Sequence, residues 1–152
     1  MRFSIDTNVL VYAFEPHEPR DTIACRVMAD AVMQDCILTN QVLGEFLKVS
    51  SGRYPDRRDM VRRDAADWTL LYTTVPTNTG HLIAAAEMAE PHLLQFWDSL
   101  VITVARSAGA EVLVTEDMQD GSVIDGVRLL NPFDPTNAEL LDQLLTPAPG
   151  TA

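Results

Sequence analysis

Lysine occurs once in these 152 residues, at position 48, and 22 acidic side chains face only 11 basic ones. A net charge of −11 excludes a protein that binds nucleic acid by overall attraction. Cysteine is equally sparse. Cys25 and Cys36 stand alone with no CxxC spacing, so neither a disulfide framework nor a zinc-thiolate site is indicated, and both read as reduced core thiols. His17, His81 and His92 lack ligand spacing, which removes a histidine zinc centre as well. No long apolar run exists: the uncharged stretch from Trp68 to Ala86 contains Pro76, Asn78 and Gly80 and is too polar to span a bilayer. The N-terminus meets Arg2 and Asp6 too early for a secretory signal. The expectation is a soluble, cytoplasmic protein with no membrane partner and no internal repeats.

What is present is a globular composition, 47% hydrophobic, in a length that suits one domain. Phe3-Ser4-Ile5-Asp6 reads as a strand running into Thr7-Asn8, a helix start, followed by the apolar Val9 to Ala13 and stopped by Pro16 and Pro19. Apolar spacing predicts helices over 21–34, from Asn40 or Gln41 to near Gly52, and over 57–71, 79–89 and 96–108. Cys36–Thr39, Thr73–Val75, Glu111–Thr115 and, more weakly, Val127–Leu130 read as strands. Short apolar strands alternating with helices predict an α/β fold with a mostly parallel sheet covered on both faces. The domain is expected over 1–133. From Asp134 to the end at 152 the Pro-rich chain, with one Leu140-Leu141-Leu144-Leu145 patch, reads as a loosely held tail or a minor packing helix.

The charge is unevenly spread. Lys48, Arg53, Arg57, Arg58, Arg62 and Arg63 fall between positions 48 and 63, where only Asp56 and Asp59 oppose them, so that segment carries +4 and the rest −15. A local field decides whether a phosphate backbone is tolerated, so this segment is a candidate RNA-binding surface. The plain alternative is a solvated helix face with Asp/Arg pairs.

Four carboxylates occupy positions where function collects in open α/β sheets, at strand ends and neighbouring helix starts. Asp6 ends the first strand and Asp117 follows the clearest one. Glu45 sits at the edge of an apolar helix face, and Asp98 opens a strongly apolar helix. Each has an ordinary reading: Asp6 and Asp98 as helix N-caps, Glu45 as a boundary residue, Asp117 as a turn former. Together they would converge on one cleft. Two carboxylates about 5 Å apart repel by roughly 3 kcal/mol at an effective dielectric of about 20, so four need a cation. All-oxygen ligation suits Mg²⁺ or Mn²⁺ and points to phosphoryl chemistry.

Ile5-Asp6-Thr7-Asn8-Val9-Leu10, Leu43-Gly44-Glu45-Phe46, Phe96-Trp97-Asp98-Ser99-Leu100 and Leu113-Val114-Thr115-Glu116-Asp117-Met118, in that order, resemble the PIN-domain family and, more narrowly, VapC-type toxins of toxin–antitoxin pairs. The resemblance runs from about residue 2 to Asn131-Pro132-Phe133. It implies a three-layer α/β/α sandwich, a Mg²⁺- or Mn²⁺-dependent endoribonuclease, a homodimer and a cognate antitoxin partner. It makes Asp6, Asp98 and Asp117 the metal ligands, with Glu45 ligating or orienting the water that attacks phosphorus in line. Asn8 and Thr115 match supporting polar residues, and Asp120 is an optional further acid. Glu116 is expected to point away if the strand alternation continues. RNA would lie along the basic segment 48–63.

Rival readings fail on particular residues. A haloacid-dehalogenase-like phosphatase needs a second Asp where Asn8 stands and a catalytic lysine, and a receiver domain needs a late lysine; Lys48 answers neither. A housekeeping RNA-processing nuclease and a non-catalytic acidic module that docks a basic protein partner remain as alternatives. The latter predicts no dependence on divalent metal.

Overall fold

A computed structural model describes residues 1–15 and 17–150. Pro16, one of the two prolines expected to stop the first helix, and the last two residues of the tail lie outside them. The chain builds a six-stranded sheet, β1 (Phe3–Ile5), β2 (Cys36–Thr39), β3 (Thr73–Val75), β4 (Val112–Val114), β5 (Val123–Ile124) and β6 (Val127–Leu130), in the spatial order β3-β2-β1-β4-β6-β5. All pairings are parallel except β5 against β6. Helices α1 (Thr7–Phe14) and α2 (Pro19–Ala31) connect β1 to β2, α3 (Asn40–Arg53) and α4 (Arg58–Leu71) connect β2 to β3, and α5 (Thr79–His92) and α6 (Phe96–Ser107) lead back to β4.

This order dictates the layers. The chain steps outward from β1 to β3, then returns to the other side of β1. Right-handed crossovers therefore put the outward helices on one face and the returning pair on the other. Alternation within β2 fits: Cys36 and Leu38 join the large core with Val9, Val27 and Phe46, whereas Ile37 packs with Ala105 of α6. The three-layer sandwich follows. The reversal also makes the gap between β1 and β4 the switch point of the sheet, where ligands enter at the carboxyl ends of the strands.

Several ends differ from the sequence reading for local reasons. Helix α2 begins at Pro19, which suits a first helical position, and the Asp21 carboxylate caps it by accepting from the backbone N–H groups of His17 and Glu18. Proline here starts the second helix. Strand β5 was not anticipated because it is only two residues long. Asp125 and Gly126, both in the left-handed region, turn it onto β6 as a tight hairpin. After β6, a final helix α7 (Ala138–Leu145) buries Leu141, Leu144 and Leu145 against the core next to α2. Among the described residues no helix is long and apolar enough to cross a membrane.

The central strands carry the fold. Leu113 is fully buried on β4, and Leu113→Ala is expected to lower unfolding free energy by about 2–5 kcal/mol in urea titrations. A loss below about 1 kcal/mol would mean that β4 is not the packed centre.

Candidate active site

The register of β1 against β4 pairs Ile5 with Val114, and the Asp6 N–H donates to the Val114 carbonyl at 2.9 Å. The next residues, Asp6 and Thr115, therefore emerge side by side at the switch point. Asp6 does two jobs. One oxygen caps α1 by accepting from the Thr7 N–H at 2.8 Å, and the other accepts from the Thr115 hydroxyl at 2.8 Å. The ordinary reading of Asp6 as a helix cap is thus correct and does not compete with a site role.

Thr115 organises the next carboxylate. Its hydroxyl oxygen accepts the Asp117 N–H at 3.1 Å, and the Asn8 amide donates to an Asp117 carboxylate oxygen at 3.0 Å. Asn8 and Thr115, matched to supporting positions, thus lie between Asp6 and Asp117. Glu45 arrives on α3, half-buried, and is held by two residues the sequence reading had not singled out for this role. The Thr7 hydroxyl donates to one oxygen at 2.6 Å and the Gln41 amide to the other at 2.8 Å. Gln41 also donates to the Trp97 carbonyl at 3.0 Å, joining α3 to the first turn of α6. A signal for Gln41 was present: it lies four residues before Glu45, on the same helix face.

Asp98 stands in the first turn of α6 and is not its N-cap, a position held by Gln95. A carboxylate there interacts favourably with the helix dipole. It remains half-buried and feels the charges of Asp117 and Glu45. The four predicted acids are brought together from four separate segments.

Their electrostatics follow from that crowding. Asp6 is 6% exposed, and burial pushes its carboxyl up to about 6. Hydrogen bonds from Thr115 and Thr7 oppose the rise, while the charges of Asp117 and Glu45 add to it. Burial also raises Asp98, again with Asp117 and Glu45 contributing. Among the described residues no group of three or more His, Cys, Asp or Glu side chains forms a ready-made metal cage. Asp6, Glu45 and Asp117 rest instead on neighbouring donors. The donor chemistry nevertheless fits a hard cation: every nearby ligand atom is oxygen, the charge is uncompensated, and the buried Asn8 Oδ1 has no hydrogen-bond partner.

Other predicted residues lie elsewhere. Asp120 accepts from the Asn131 N–H and the Asn137 amide, tying the end of β6 to the turn before α7, and is not drawn into the quartet. Glu116 does not continue a strand alternation, because β4 ends at Val114; it accepts the Tyr12 hydroxyl. Lys48 is exposed one turn beyond Glu45 on α3, and Arg53 and Arg62 are exposed further along the basic segment. Arg57 is committed to Glu15 and lies against the Phe14 ring, while Arg58 donates to the Ser51 carbonyl.

The sequence matches the PIN domain family over residues 4–119. No curated protein sequence matches the chain. Among solved structures it is similar to Mycobacterium tuberculosis VapC20, a sarcin-ricin loop cleaving toxin, at 20% identity and TM-score 0.62 over 76% of this chain and 89% of that one. A toxin–antitoxin complex from Klebsiella pneumoniae matches at 17% identity and TM-score 0.66, covering 86% and 98%. VapBC2 from Rickettsia felis, bound to a promoter DNA fragment, matches at 18% identity and TM-score 0.63, covering 85% and 97%.

Burial of Asp6 has a thermodynamic sign. Its carboxyl holds a proton more tightly folded than unfolded, so this contribution to stability is present at low pH and is lost as pH rises through about 6. Asp98 acts in the same direction. In EDTA, the urea midpoint should fall between about pH 4 and pH 7, corresponding to about 3 kcal/mol from Asp6, and Asp6→Asn should remove most of that fall. A wild-type midpoint that rises steadily over this window would contradict the assigned electrostatics.

Proposed function

This chain belongs to the PIN-domain family, and from that premise we propose that it is a divalent-metal-dependent endoribonuclease, the toxin of a toxin–antitoxin pair. The observation that carries the reading is the convergence of Asp6, Glu45, Asp98 and Asp117 at the switch point, with the buried Asp6 carboxyl raised by its surroundings and, among the described residues, no ion pair to neutralise any of the four.

Asp6, Asp98 and Asp117 would hold Mg²⁺ or Mn²⁺. Such an ion supplies charge neutralisation at the reacting phosphate and lowers the pKa of water nearby. The protein's own part is positional. Thr115 and the Thr7 N–H fix both oxygens of Asp6, and Asn8 fixes Asp117. Glu45 accepts from Thr7 and Gln41 and, as a carboxylate, keeps lone pairs free to orient the attacking water by taking its hydrogen. Exposed Lys48, Arg53 and Arg62 would follow the RNA backbone past the cleft.

The acidic cleft suits an antitoxin that presents a basic side chain to the carboxylates. Exposed Leu70, Leu71 and Ile83 at the end of α4 and the start of α5 supply apolar surface for a second copy in a homodimer. The competing reading is a binding module that docks a basic protein partner and takes no metal.

RNA cleavage with Mg²⁺ or Mn²⁺, repeated in excess EDTA, separates the two. The nuclease reading expects cleavage only with metal, and a loss of at least about a hundredfold in Asp98→Asn with the fold intact by circular dichroism. Cleavage that survives both EDTA and Asp98→Asn would reject it.

A further inference from the structure

A cavity of about 730 Å³ opens beside the quartet, and Asp98 forms part of its wall. Its remaining lining is mixed: Leu93, Met118 and Val123 supply apolar surface, Gln95, Gln119 and Ser122 supply uncharged hydrogen-bonding groups, and His92 supplies an imidazole. Among the described residues no lysine or arginine lines it, and His92 is its one side chain able to carry positive charge, so no ammonium or guanidinium is set there for a phosphate. We propose that this cavity is a nucleobase subsite, holding the base of a nucleotide that flanks the cleaved phosphodiester of a single-stranded RNA segment. The proposal rests on the nuclease reading and adds to it a place where base identity is felt.

Three observations meet here. The first is continuity. If the reacting phosphate lies at Asp6, Asp98 and Asp117, its own nucleotide carries a base within a few bonds, and the cavity that shares Asp98 is in reach of it. The second is chemistry. A flipped base is held by apolar side chains against its faces and by hydrogen-bonding groups at its edge, and this wall offers both. Gln95 and Gln119 each present a donor and an acceptor. The volume falls within the range of small-ligand sites.

The third is a pair of backbone choices. Leu93 ends α5 in the left-handed region, φ 54°, where glycine is the usual residue, and Met118, which also packs against the core, takes φ 66° in the same lining. Glycine would hold both turns without steric cost. Leucine at this position gains nothing from packing in the free protein, because Leu93 is 93% exposed. An occupant against its side chain accounts for a leucine there, and Val123, 63% exposed in the same wall, fits the same occupant.

The test uses Asp6→Asn protein with Mg²⁺, to prevent cleavage, and fluorescein-labelled single-stranded RNAs that each lack one base at a successive position. Anisotropy should show one abasic position that weakens binding about tenfold, a sensitivity that disappears when Leu93→Ser and Val123→Ser are added. Gln119→Ala in the active protein should alter which sequences are cut, with circular dichroism unchanged. Equal affinity for every abasic RNA would overturn the subsite, as would base sensitivity that persists in the Leu93/Val123 variant. Loss of affinity for all RNAs alike in that variant would also reject it, since it would show no base-specific contact. Wild-type metal-dependent cleavage alongside any of these results leaves the nuclease reading standing. RNA that neither binds nor is cut defeats both.

Discussion

The structure turns on one buried carboxylate. Asp6 sits at the end of the central strand, held on one side by the Thr7 N–H and on the other by the Thr115 hydroxyl. That position follows from register alone, since pairing Ile5 with Val114 leaves the next residue of each strand facing the same crevice. An ionised group there is expensive to keep dry, and two nearby carboxylates make it more so. At the switch point of the sheet, a nearby positive charge would relieve this penalty.

The other acids reach the crevice from separate layers. Glu45 comes on an outward helix and Asp98 on a returning one, so the cleft is spanned from both faces of the sheet. Gln41 links the two by donating to Glu45 and to the Trp97 carbonyl. Thr7 links Glu45 back to the segment that carries Asp6. These bonds give Asp6, Glu45 and Asp117 donors that fix their direction, while Asp98 stands in the first turn of its helix. Among the described residues no ion pair joins a basic side chain to any of the four acids, so the cleft's negative field is not quenched by direct pairing.

Most of this was legible in the sequence, for identifiable reasons. Strands β2 and β6 are short, largely apolar runs and β3 is a β-branched Thr-Thr-Val segment stopped by Pro76, so the limits of all three are legible in the sequence. The quartet could be read because each acid interrupts an apolar segment at a strand end or helix edge. What escaped depended on contacts distant in the chain or on very short elements. Strand β5 has two residues, although the Asp125-Gly126 hairpin signal was present. The role of Thr7 requires knowing that α3 lies across α1. Asp120 looked like a fifth acid, three residues past Asp117, but the turn at Gly121 and the approach of Asn131 and Asn137 engage it at the base of α7. Glu116 was expected to follow strand alternation, yet the strand ends two residues earlier.

The central proposal is that Asp6, Asp98 and Asp117 hold a divalent cation, with Glu45 beside it. Calorimetric titration of Mn²⁺ into metal-free protein near pH 6, in two buffers of different ionisation enthalpy, tests it directly. The account predicts binding accompanied by release of about half a proton, the one held by Asp6, with that release absent in Asp6→Asn and affinity reduced in Asp98→Asn. Binding with no proton release, unchanged in both variants, or no binding at all would contradict it.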